Sequence, residues 1–124
     1  MHDDARRYLA RCRAGFDVVI EDVFIGSART VRKPRWMLDA GLASAARRLR
    51  RGGLLVANSI DESVEVARAM RRLFPSLVRI ELADYDNRIL VGGPPGLTGG
   101  GLRAAAAASP SFRDLLAKMS FRKL

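Results

Sequence analysis

Apolar positions along the chain switch between a helical and a strand-like period. Ala5, Tyr8, Leu9 and Cys12 recur at helical spacing behind an acidic start, with Gly15 just past the end, which predicts a helix over 4–13. The β-branched run in "FDVVIEDVF" predicts a strand over 17–24 of the kind that has both faces covered. Glu21 and Asp22 stand near its end, where burial would penalise a charge. The Gly-, Ser- and Arg-rich loop "IGSARTVRKP" leads to a second helical stripe over 35–51, on which Leu38, Leu42, Ala45 and Leu49 share a face and Gly52 and Gly53 form the stop. "LLVAN" is a buried-strand pattern over 54–58, and Ser59 followed by Glu62 has the spacing of a capping box. The helix it opens carries Val66, Ala67, Met70, Leu73 and Phe74 on one stripe and ends at Pro75.

Strand patterns over 77–83 and 88–93 are separated only by "DYDN", so they are expected to pair as an antiparallel hairpin. Beyond the Gly-rich "GGPPGLTGGG", the segments "LRAAAAA" and "PSFRDLLAKM" read as helical, with Ser109 capping and Pro110 in the first turn. Strand–helix alternation predicts an α/β layered fold with a largely parallel sheet, closed by the hairpin.

At 124 residues the chain is one domain. Its apolar runs fall short of the roughly 18 residues of a membrane span, and "MHDDARRYLARC" lacks the form of a signal segment, so a cytoplasmic protein without membrane contact is expected. One cysteine excludes an internal disulfide, and no Cys/His cluster suggests a metal. The net charge of +9 would favour nucleic acid if the basic residues were clustered. They are instead spread along helices without interleaved aromatics, a pattern of solvated surface, and nucleic-acid binding is not expected.

Taken in order, "DDARRYLARC", "FDVVIEDVF", "RRLRRGGLLVAN", "VARAMRRLFPSLVRIEL" and "NRILVGG" resemble the C-terminal half of the spermidine synthase-like family, within the class I S-adenosylmethionine-dependent methyltransferase fold. The resemblance implies a partial Rossmann-like sheet of about four strands, the last two an antiparallel hairpin, with flanking helices over 1–97 and a helical tail over 98–124. It implies aminopropyl or methyl transfer to a small-molecule amine, with S-adenosylmethionine or its decarboxylated form as cofactor. By the same resemblance Asp22 is the catalytic acid, and Asp4, followed by Ala5, is the acid that meets the adenine amino group. Asn58 stands nearest to a Gln of the family, and Tyr85 to an aromatic of its amine channel. Each acid also has a plainer reading: Asp4 or Asp3 as a helix cap, Asp22 as a solvated strand end.

Three departures qualify the resemblance. Ile25 replaces the second acid of polyamine-making members, removing a charge-assisted anchor that is worth about ten- to a hundredfold in binding. Glu21 replaces an apolar residue and, if it faces the helices, requires a cationic partner such as an Arg. The Gly-rich turn for the cofactor's amino-acid end and the acid for its ribose would lie upstream of "DDAR". The chain alone is therefore expected to be weakly active or inactive, and to need an N-terminal partner chain or a longer reading frame. Strand 17–24 would then be an open sheet edge suited to a homodimer, the alternative being a non-catalytic assembly module.

Overall fold

The computed structural model describes residues 3–27 and 30–124. Helix α1 (Ala5–Arg11) is capped by Asp4, whose Oδ1 accepts from the Arg6 and Arg7 amides, and leads into strand β1 (Phe16–Glu21). A short antiparallel pair, β2 (Ile25–Ser27) and β3 (Thr30–Arg32), follows. A π turn (Met37–Gly41) runs into α2 (Leu42–Ala46) and then the long strand β4 (Leu49–Ser59). Next come α3 (Ser63–Arg71), β5 (Ser76–Leu82) and β6 (Arg88–Gly93). Helix α4 (Gly99–Ala108), two 3₁₀ turns and β7 (Met119–Lys123) complete the chain. None of these helices is long and apolar enough to cross a membrane.

The main sheet has the order β1-β4-β6-β5-β7. Only β1 and β4 run parallel, and every later pairing is antiparallel. The α/β class and the hairpin β5–β6 are as expected, but five strands replace about four, and one parallel pair replaces a largely parallel sheet. The fifth strand comes from the tail, where the local pattern predicts a helix. Met119–Lys123 pairs along β5 and covers an edge that would otherwise expose its backbone groups, a non-local gain that no local propensity reports. "PSFRDLLAKM" forms short 3₁₀ turns, and Ser109 precedes the first without a side-chain cap.

Two helix boundaries also differ. The helix expected over 35–51 gives way at Arg47, because Leu49 already pairs with Phe16 and Gly52 and Gly53 lie within β4. Between Phe16 and Val18 the β1 partner moves from Leu49 to Leu54, so β4 carries the extra residues of a bulge. Gly52 there takes φ +82°, a left-handed conformation suited to glycine. Nor does Ser59 cap α3. It is fully buried and donates its hydroxyl to the Arg88 carbonyl, which leaves Glu62 at the N-cap without a side-chain cap bond.

Period-two alternation divides the sheet into two faces. Leu55, Ala57, Leu77 and Leu90 pack beneath Met37, Leu42, Ala45, Val66, Ala67 and Met70 of the helical layer. Gly92 is required on this face, since a Cβ there would lie 2.5 Å from the Phe74 ring. On the other face, Ile80 and Ile89 lie under the segment between α4 and β7, whereas Val18 and Ile20 stay 48% and 71% exposed. β1 has β4 on one side and no strand on the other among the described residues.

Candidate active site

Alternation along β1 separates the two acids. Glu21 is directed into the helical layer and is 4% exposed, while Asp22, one residue past the strand, is exposed. Glu21 does have a cation, but it is Lys33 and not an Arg. Lys33 Nζ donates to Oε1 at 2.8 Å and lies 2.7 Å from Oε2, an ion contact outside hydrogen-bond angles, with both side chains almost fully buried. The Val23 amide donates to the same Oε1, and the Phe24 ring lies 4.2 Å from Nζ. Glu62 accepts from the Lys33 amide at 2.8 Å, tying the chain after β3 to the start of α3. This buried cluster holds the chain that leaves β1 and so the position of Asp22.

Asp22 Oδ1 accepts from Asn58 Nδ2 at 2.8 Å, and Asn58 Oδ1 accepts from Asn87 Nδ2 at 2.9 Å. The relay links the carboxyl ends of β1 and β4 to the start of β6. Beside it lies a cavity of about 320 Å³ whose wall includes Asn58, Tyr85 and Asn87, together with Ile80, Ile89 and Leu115. Two residues that are distant in sequence, Asn58 and Tyr85, therefore share one cavity, with Asp22 one side chain away.

Asp4 and Ala5 lie elsewhere. Asp4 is exposed and caps α1, so the plainer reading of that acid describes its geometry. Ala5 lines a second cavity of about 310 Å³ that runs along β1 past Val18, Ile20 and Val23. Tyr8, also on its wall, has its phenol pKa raised, chiefly through hydrogen bonding with Cys12. The cavities flank the end of β1 from two directions: Glu21 and Val23 line one, and the Asn58 partner of Asp22 lines the other.

Asn87 and Lys33 are not among the residues singled out from the sequence. Asn87 reads locally as a turn residue of "DYDN", and its meeting with Asn58 follows from the Asn58–Ile89 register of β4 and β6. For Lys33 a signal did exist, since an acid on the covered face of a strand requires a cation.

The fold is similar to the crystal structure of a probable spermidine synthase from Corynebacterium glutamicum, with a TM-score of 0.64 and 24% identity over 97% of this chain and 46% of that one. This chain thus spans about half the length of that protein, and at this identity the likeness is one of fold. No protein-family model matches the sequence, and no curated protein matches it.

Proposed function

We propose that this chain is the C-terminal half of a spermidine synthase-like transferase of the methyltransferase fold, with Asp22 as the acid that receives the acceptor amine. The observation that carries the reading is the carboxylate at the end of β1, held by Asn58 on the open sheet face of a fold similar to a spermidine synthase. Ligands of open α/β sheets bind beyond the carboxyl ends of the strands, and Asp22 stands there.

In this role Asp22 binds the ammonium form of the amine, orients its nitrogen, and accepts or relays the proton that must leave before the lone pair can attack. Asn58 fixes the rotamer of the carboxylate, and Asn87 fixes Asn58. Bound S-adenosylmethionine or its decarboxylated form would supply an electrophilic carbon next to sulfonium. The residues present fit only the adenine end of such a molecule. Asp4 uses Oδ1 for capping and keeps Oδ2 for an adenine amino group, and the apolar cavity beside Ala5 offers a surface for a ring. The chain spans 46% of the similar synthase, and on this reading the donors for the amino-acid end and the ribose belong to the half it does not match, which leaves these residues alone weakly active or inactive.

Methylthioadenosine titration followed by amide NMR tests this reading. Shifts confined to Asp4, Ala5, Tyr8 and Val18–Val23 are expected, with a Kd of about 1 mM because only one end is held. Absence of shifts at those amides refutes the adenine assignment, and micromolar affinity refutes the partial site.

The exposure of Val18 and Ile20 favours a second reading, a non-catalytic assembly module in which two copies meet along β1. A concentration-dependent dimer that Ile20→Lys dissociates is expected in light scattering, and a monomer at high concentration rules it out.

A further inference from the structure

We propose that the cavity beside Asn58 binds a primary monoamine bearing an apolar group, with the ammonium at Asp22 and the apolar part among Ile80, Leu82, Ile89, Phe112 and Leu115. The inference rests on Asp22 as the amine-binding acid and specifies which amine the site takes. At about 320 Å³ the cavity falls within the ~300–1,000 Å³ range of small-molecule sites. Its polar groups, Asn58, Asn87 and Tyr85, are all uncharged, and the rest of its wall is apolar.

Asp84, Asp86 and Asp114, exposed neighbours of wall residues in sequence, do not line the cavity, and the charges of the adjoining strand pair are turned away. Ile80 pairs with Ile89 on the cavity face, so the next pair, Glu81 and Arg88, points to the other face, where their side chains meet at 3.3 Å. Among the described residues, then, no anion lies inside the cavity for a second ammonium, and an unpaired buried ammonium is strongly disfavoured. One positive charge is accommodated at Asp22, one side chain from the cavity wall. Asp22 is exposed, its described partner is the neutral Asn58 amide, and that same Asn58 forms part of the cavity wall. Geometry and charge together select a molecule with one cationic end and one apolar end.

The test is amide NMR titration of the chain at pH 7 with hexylamine, 1,4-diaminobutane and 1-hexanol. Hexylamine should shift the amides of Asn58, Ile80, Ile89 and Leu115 and bind at least about tenfold tighter than the diamine. Asp22→Asn should weaken hexylamine about tenfold and leave hexanol unchanged, whereas Leu115→Lys, at a partly exposed position, should weaken both. A diamine that binds as tightly as hexylamine, no shift at the cavity amides, or an Asp22→Asn variant with undiminished hexylamine affinity would each overturn the proposal. Neither cofactor takes part in the titration, so failure here is distinct from failure of the adenine assignment.

Discussion

Replacing Lys33 with Met removes one charge of a buried pair and leaves the other in place. Glu21 would keep the Val23 amide at 2.8 Å as a donor but lose an ammonium that contacts both of its oxygens. Breaking such a pair from one side costs about 3–5 kcal/mol, against a total stability of about 5–15 kcal/mol for a domain. With a urea m-value of about 1.5 kcal/mol per M, a loss of about 3 kcal/mol lowers the unfolding midpoint by about 2 M. Urea titration followed by circular dichroism reads this directly. The double variant Glu21→Met/Lys33→Met should recover most of the loss, because it removes the stranded charge along with its partner. Lys118→Met is the control: its 2.9 Å contact with Asp84 is solvent-exposed, and the change should stay within about 0.5 kcal/mol. A Lys33→Met midpoint indistinguishable from that of Lys118→Met, or a double variant less stable than the single, would show that the buried pair does not govern this part of the fold.

Three further outcomes are expected. Gly92→Ala places a methyl 2.5 Å from the Phe74 ring, and overpacking of about 1–3 kcal/mol should lower Tm by several degrees in calorimetry; an unchanged Tm would mean that α3 shifts freely over β6. Asn58→Ala should cost only about 1 kcal/mol, since its bond to Asp22 is exposed, yet it should move the side-chain resonances of both Asp22 and Asn87; movement of only one would disprove the relay. Ending the chain after Lys118 removes β7, and hydrogen exchange should show lost protection along Ser76–Leu82 while β1 and β4 keep theirs. Uniform loss would mean that β7 is required for the whole fold.

Elements that arise from local signals are legible in the amino-acid order. The stripe Val66, Ala67, Met70 marks α3, and the four-residue gap between two apolar runs marks the β5–β6 hairpin, because both signals lie within one turn or one strand of their cause. Alternation along β1 carries more than a strand assignment. It divides Glu21 from Asp22, and burial of the first requires a cation. Where expectation and fold part, the competing interaction is distant. Leu49 leaves its helical stripe for a partner 33 residues earlier, Phe16. Ser59 and Glu62 have capping spacing, but the Arg88 carbonyl and the Lys33 amide take them instead.

The order of residues thus specifies which side chains face inward, where most helices and strands lie, and which acid stands at a strand end. It took the assembled fold to make Met119–Lys123 an edge strand, to choose Lys33 over an arginine as the cation for Glu21, and to bring Asn87 into a relay with Asp22. Periodicity is set by neighbours a few residues apart, whereas partners and register arise from backbone pairing and burial between segments that meet only when the sheet assembles.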